Sequence, residues 1–391
     1  MTNVSRVDIN RMTEKVIKWR RHLHMNPELS FEEKETSQFV YDTLRSMNYL
    51  EVTRPTETSV VAILKGGKSK GKVLGLRADM DALPITEETK LDFSSKKDGI
   101  MHACGHDAHT AMLLGAAEIL SEKREELKGD IKFIFQHAEE LLPGGAQEMV
   151  KAGVADDLDY VVGLHVMSPL EVGKIGIVYG HMTSNTDVFD LRVIGKGGHS
   201  SQPENSIDPI VVSSQIINNL QHIVSRNISP SEQLVVSVTE INAGTAKNVI
   251  PEYVDIGASV RSYSPTVREK AVETIEKIIK GVTVAHGANY EFNYTYGYSS
   301  VINDEKLTKL VEDVIVEEFD NQTIEYFDPI MGGEDFSAFS EKAPGCFIAV
   351  GAKNDEKNFN FPHHHPKFGI DEKSLENGLR ILVNLPKKVF N

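Results

Sequence analysis

Residues 7–25 repeat apolar side chains at helical spacing, with Ile9, Met12, Val16 and Trp19 near one face. That spacing predicts an opening helix. Asn26-Pro27 ends it, because the residue before a proline is pushed out of helical backbone. A second helix is predicted over residues 32–47. The periodicity then changes. Residues 59–64 and 72–76 are short apolar, β-branched runs bounded by glycine, as buried strands are. Residues 107–120 (DAHTAMLLGAAEIL) read as a helix, 131–136 (IKFIFQ) as a strand, 145–151 as a short helix and 160–164 (YVVGL) as another strand. Strands that alternate with helices imply a mainly parallel sheet covered by helices on both faces.

After residue 182 the pattern changes again. Residues 188–193 (VFDLRV) alternate apolar and polar with period two, as a half-exposed strand does. Residues 208–224 are helical, 234–241 and 254–260 are strands, 268–280 are helical, and 290–295 alternate once more. The order β-α-β-β-α-β is that of a ferredoxin-like α+β domain. The chain then returns to long helices over 307–319 and 373–389, with one apolar strand, 346–350, between them. The predicted organisation is an α/β domain in two parts, 1–182 and 298–391, with a smaller domain, 183–297, inserted. The sequence holds no internal repeat and no low-complexity tract.

Composition narrows the class. A chain of 391 residues predicts two or three domains. With 40% hydrophobic and 25% charged residues it reads as an ordinary globular chain. A formal net charge of −15 argues against binding a nucleic-acid backbone or an anionic lipid surface, so neither nucleic acid nor membrane is expected as a partner. No apolar run approaches the ~20 residues that span a bilayer. The opening MTNVSRVDIN has no apolar core and no small-residue cleavage site, so no signal peptide is expected, and a cytoplasmic protein is the default. Two cysteines cannot build a disulfide framework. The 14 histidines are the unusual feature. Three fall at His102, His106 and His109, and three more at His363, His364 and His365. Clustered histidines point to a metal or proton-transfer site unless they merely line a solvated loop.

In open α/β sheets, ligands bind at the carboxyl ends of the strands. Here VLGL runs into Arg77-Ala78-Asp79-Met80-Asp81, IKFIF into Gln136-His137-Ala138-Glu139-Glu140, and YVVGL into His165. The segment MHACGHDAH places Cys104, His106 and His109 at a helix entry. Such convergence of polar groups marks a shared site. Cys104 and His106 suit a borderline divalent ion, and Gly105 between them allows a tight bend. A buried thiol beside a capping histidine is the alternative. Glu139 and Glu140 point to opposite sides in an extended chain, so one can hold a metal while the other serves as general base. His165 alone would read as a hydrogen-bonded structural residue; in this company it is a candidate ligand. His363, His364 and His365 cannot all be ligands. Gly332 and Gly333, just before Glu334-Asp335, allow close backbone approach to a substrate. Cys346 reads as a core residue. The chain has no P-loop, no dinucleotide fingerprint, no nucleophile elbow and no H-E-x-x-H motif.

RADMDALPI (77–85), HACGHDAH (102–109), AEE (138–140), GLHV (163–166), GGHSSQPENSIDP (197–209), GGEDF (332–336) and HHHP (363–366) occur in that order. Together they resemble the M20 metallopeptidase family. Within it they are most similar to the aminoacylase-like amidohydrolases of hippurate, N-acyl amino acids and auxin conjugates. The resemblance covers nearly the whole chain. It implies a zinc-peptidase-like α/β domain with an inserted lid or dimerisation domain. It implies two divalent metal ions per subunit, manganese or zinc with cobalt and nickel as other candidates. By motif position these would be held by Cys104, His106, Glu140, His165 and His364, with Cys104 between the two ions. Glu139 matches the catalytic base, Asp79 the acid that orients a metal ligand, and His199 a histidine that reaches a neighbouring site across a homodimer. Asn248 and Arg261 match residues near the substrate. The implied reaction splits an N-acyl amino acid into a carboxylate and an amino acid. Peptide-bond cleavage by a dipeptidase or carboxypeptidase is a second reading. A metal- or ligand-binding protein without turnover is a third, and a glutamate base beside a metal ligand argues against it. Two positions depart from the family pattern: His137 stands where proline is usual, and Glu204 where a second histidine is common.

Overall fold

The first helical stretch forms Arg6–Met25, which buries Ile9, Met12 and Val16 and packs a partly buried Trp19 on the same core. The structure, a computed structural model, describes residues 6–391, so residues 1–5 of the segment behind the signal-peptide expectation lie outside the described residues. Against the first helix lies His106–Glu122, buried along most of its length. Its Gly115 sets the approach, since a Cβ there would stand 2.5 Å from Val16 Cγ2.

The larger unit, residues 1–182, 301–329 and 335–391, is built on an eight-stranded sheet. Its order is Leu50–Thr53, Val60–Leu64, Asp130–Gln136, Val73–Asp79, Tyr160–Glu171, Gly345–Lys353, Ile175–Ile177, Ile324–Tyr326. The four central strands run parallel, and antiparallel pairs lie towards the edges. A parallel centre must be covered on both faces. Accordingly Leu74, Leu76, Phe133 and Phe135 pack into the core shared with Arg6–Met25, His106–Glu122 and Lys373–Val389. Val73, Ile134 and Val161 pack on the other side with Met149, Phe336 and Phe339. This is the expected α/β class with a mostly parallel sheet. Two strands run further than their apolar stretches. Val73–Asp79 continues through Arg77, and Tyr160–Glu171 carries His165 inside the ladder, opposite Ala349. The ladder continues because the polar side chains find partners within the unit.

The smaller unit comprises Thr183–Ser300 and residues 330–334. Its antiparallel sheet has the order Leu234–Ala243, Tyr253–Ser262, Asn185–Ile194, Asn289–Thr295. Helices Pro209–His222 and Pro265–His286 bury one face against Phe189, Leu191, Val254 and Ile256. Both helices begin with proline behind a capping side chain: Asp208 accepts from the N–H of Ile210, and Ser264 from that of Val267. Gly332 and Gly333 belong to this unit, and the Ser184 N–H donates to the Gly332 carbonyl at 2.9 Å. Among the described residues no helix is long and apolar enough to cross a membrane.

Candidate metal centre

Four segments of the larger unit bring metal-competent side chains together, and three of them depend on unusual backbone. Gly105 has φ +94°, and a Cβ there would stand 2.3 Å from Val166 Cγ2. Only glycine lets Cys104 and His106 flank that turn. Ala138 has φ +48°. Its N–H donates to Glu33 Oε1 at 2.7 Å, and the chain leaves its extended path. Glu139 and Glu140 therefore do not diverge as they would in a strand. Each offers an oxygen within 4.8 Å of the His106 donor atom. His364 has φ +64° and donates its N–H to the Ala103 carbonyl at 2.9 Å. Left-handed non-glycine residues are uncommon and gather at functional sites. The fourth segment is the strand that carries His165.

The imidazoles are oriented by their second nitrogens. His165 Nδ1 donates to the Val166 carbonyl at 2.8 Å, which leaves a lone pair on Nε2, 3.4 Å from Cys104 Sγ. His106 Nδ1 lies 3.1 Å from Asp81 Oδ1. His364 Nε2 lies 3.2 Å from Glu140 Oε1. The other two histidines of that loop are occupied elsewhere: His363 Nε2 donates to the Val166 carbonyl at 2.9 Å, and His365 Nδ1 accepts the Lys367 N–H at 3.0 Å.

Three donor sets overlap. Cys104, His106 and His165 form one, Cys104, Glu140 and His364 a second, and His106, Glu139 and Glu140 a third, each with ligand atoms within 4.8 Å of one another. Cys104 is common to two of them. The buried His106 Nε2 has no hydrogen-bond partner among the described residues. Buried polar atoms are seldom left so, and an ion would satisfy it. Mixed thiolate, imidazole and carboxylate donors suit borderline divalent metals. The electrostatics agree. Burial pushes the Cys104 thiol well up, with Glu140, Glu139 and Asp79 adding to it. Burial opposes a charge on His106, yet Asp79, Asp81 and Glu140 outweigh it and lift its pKa to about 10. A cleft this negative is one that cations relieve. The residues present therefore fit a pair of divalent ions.

A fourth set, Asp79, His106 and His109, is already committed. His109 Nδ1 bonds Asp79 Oδ1 at 2.6 Å and its Nε2 accepts the Val166 N–H at 2.8 Å. The other Asp79 oxygen accepts from Arg77 Nη1 at 2.7 Å. Asp79 Oδ2 stands 3.8 Å from His106 Nε2. The carboxylate that orients His106 is thus Asp81, whose other oxygen accepts the Glu140 N–H at 3.0 Å and the Ser30 hydroxyl at 2.7 Å. The family resemblance matches Asp79 to an acid that orients a metal ligand without saying which ligand, and Asp79 and Asp81 alternate at one strand end.

Asp335 and Glu33 carry the centre without having been singled out as site residues, and His109, named at the helix entry, was given no role. Asp335 accepts from Arg77 Nη2 at 3.0 Å, from Gln136 Nε2 at 2.7 Å and from the Ala146 N–H at 3.0 Å, which ties the two strand ends together. His109 fixes Asp79 and Val166. Buried Glu33 accepts from the N–H groups of Phe31 and Ala138 and from the Thr58 hydroxyl. Burial and Asp81 push its pKa up to about 7. His137 reaches away from the donor sets, with Nε2 3.1 Å from Glu148 Oε2.

The other candidates lie in the smaller unit. His199 is exposed and pairs with Val249 in a short ladder, and its Nδ1 accepts from the Ser201 hydroxyl at 2.8 Å. The Ser200 N–H donates to the Asn248 carbonyl, so His199 and Asn248 are neighbours. Arg261 stands beside Thr186 in the ladder, and burial lowers its pKa. A Cβ on Gly333 would meet Thr186 Cγ2 at 2.5 Å, so this glycine presses on the residue next to Arg261.

The family model of Peptidase family M20/M25/M40 matches residues 75–388. The chain belongs to this family. The match spans every donor named above, so the centre of this M20 hydrolase lies on the matched segments. An N-acyl-L-amino acid amidohydrolase of Geobacillus stearothermophilus is 55% identical over 304 residues, 77% of this chain and 82% of that one. Thermostable carboxypeptidase 1 of Saccharolobus solfataricus is 39% identical over 98% of each chain. Among solved structures, a dinuclear metal-binding M20 peptidase of Bacillus subtilis superposes with a TM-score of 0.85 at 35% identity, over 97% of this chain and 99% of that one.

Proposed function

We propose that this M20 enzyme hydrolyses the amide of N-acyl amino acids to a carboxylate and an amino acid. The observation that carries the reading is the pair of donor sets sharing Cys104, with Glu139 beside them. Cys104, His106, Glu140, His165 and His364 would hold two divalent ions, manganese or zinc. Such ions, when bound, polarise a carbonyl and lower the pKa of water from ~16 to near 7. Glu139 takes the proton of the attacking water and returns it to the leaving nitrogen, a role worth about 10²–10⁴-fold. Asp81 holds His106 in orientation, and Asp79 does the same for His109. Arg261, which has no ion-pair partner among the described residues, meets the substrate carboxylate. Asn248 and the backbone at Gly332 and Gly333 line the substrate. The amide reading is preferred to peptide cleavage because the more identical relative of the two is named an amidohydrolase. Glu139→Gln tests it: activity falls at least a hundredfold with metal content unchanged, whereas full activity with metal retained removes the base assignment.

The protein acts as a homodimer through its smaller unit, with His199 stabilising the oxyanion in the neighbouring subunit. The edge strand Leu234–Ala243 exposes Val235 and Ile241, and the helix beside it exposes Ile210 and Val211. An open, apolar edge is a template for pairing with another chain. Mixing inactive His199→Ala and Glu139→Gln proteins recovers part of the activity; no recovery from verified mixed dimers excludes the crossing role. A reducing cytoplasm would keep the Cys104 thiolate available.

A further inference from the structure

On a chain of net charge −15, one cleft carries the opposite sign. It lies on the larger unit, has a volume of about 410 Å³, and contains Lys90, Lys357 and Lys367 against a single acid, Glu88. Phe359 and Phe361, both half-buried, supply its apolar surface. The volume sits in the lower part of the range of small-molecule pockets, roughly 300–1,000 Å³.

Both walls are built rather than fortuitous. In one, Asn354 and Phe359 exchange backbone hydrogen bonds at 2.9 Å, Asn354 Nδ2 donates to Asp371 Oδ2 at 2.5 Å, and Lys357 Nζ reaches the same oxygen at 2.9 Å. In the other, Lys90 has φ +59°, and the Glu88 N–H donates to the Pro366 carbonyl at 2.8 Å. Asp371 matches the charge of Lys357. Lys90 and Lys367 make no ion pair among the described residues. Lys367 Nζ lies 5.9 Å from the Phe361 ring centroid, so an apolar face and an ammonium stand side by side. His365 also stacks on that ring, with centroids 4.6 Å apart. An ammonium ligand would meet three like charges. A neutral one would leave two unmatched.

We propose that this cleft is a second, non-catalytic site that binds an organic anion with a flat apolar body, of the aryl-carboxylate class. Its occupancy is transmitted to His364. Phe361 and Lys367 each stand three residues from His364, which is held in left-handed backbone by one bond to Ala103. A ligand gripping both ends of that loop acts on the residue at its centre. The binding claim stands on the cleft alone. The transmission claim rests on the reading of His364 as a metal ligand.

Calorimetric titration of the metal-loaded enzyme with phenylacetate, phenylacetamide and phenethylamine separates the two claims. Phenylacetate should bind at least tenfold more tightly than the other two. The double variant Lys90→Gln, Lys367→Gln should weaken it at least tenfold without changing the melting temperature, while Glu139→Gln should not. Lys367→Glu should shift preference towards phenethylamine. Binding that is indifferent to the lysines, or that is lost only in His364→Ala, places the anion at the metal centre and overturns the site. For transmission, saturating phenylacetate should change the rate of metal release to a chelator at least twofold in the wild type and not in the lysine double variant. Equal rates in both overturn the coupling but leave the site and the proposed hydrolysis standing.

Discussion

Asp81 Oδ1 lies 3.1 Å from His106 Nδ1, while the other oxygen of the same carboxylate accepts the backbone N–H of Glu140. One buried acid thus sets the orientation of two proposed metal-holding residues from different segments. Partners of this kind typically govern metal affinity by about 10–100-fold. Asp81→Asn is expected to weaken metal binding by about that factor, measured by chelator competition, with the fold retained. Unchanged affinity would show that the contact is only structural.

Glu33 links the backbone before the catalytic acids to the pH dependence of stability. Its ordinary pKa of 4.5 is raised to about 7, by burial first and by Asp81 second. The fold therefore favours the protonated acid. That contribution is complete below pH 4.5 and is lost as the pH rises through 7. Between those limits metal-free wild type should lose roughly 3 kcal/mol of stability relative to Glu33→Gln, at about 1.36 kcal/mol per pKa unit. Urea unfolding of both proteins at pH 4.5 and pH 7.5 reads the difference directly. A difference that does not change with pH contradicts the assignment.

The parts of the fold legible in the sequence are those whose physics is local. Val73–Asp79 and Asp130–Gln136 are buried along their whole length, and the apolar stretches within them, 73–76 and 133–135, announce central strands. The βαββαβ order of the smaller unit shows in its alternation and in its capped helices. Leu50–Thr53 and Ile324–Tyr326 were not legible, because three or four residues at a sheet edge carry no period. The candidate site divides in the same way. Cys104, His106 and His165 could be named from motif and position. The convergence of Glu139 and Glu140 could not, because it follows from the positive φ of Ala138, a residue type that gives no hint of one. Asp79 and Asp81 alternate on one strand end, and only packing against His109 and His106 tells them apart. Glu33 acts from 105 residues away, and no periodicity records such a contact.

The centre around Cys104 is proposed to cleave N-acyl amino acids in a metal-dependent way. The direct measurement is kcat/KM for N-acetyl amino acids, hippurate and dipeptides, before and after chelation and after reloading with manganese or zinc. An N-acyl amino acid is expected to be the best substrate, with hydrolysis abolished by chelation and restored by a divalent ion. Dipeptides cleaved with the higher kcat/KM while N-acyl amino acids are left intact, or turnover that survives complete metal removal, would contradict the proposal.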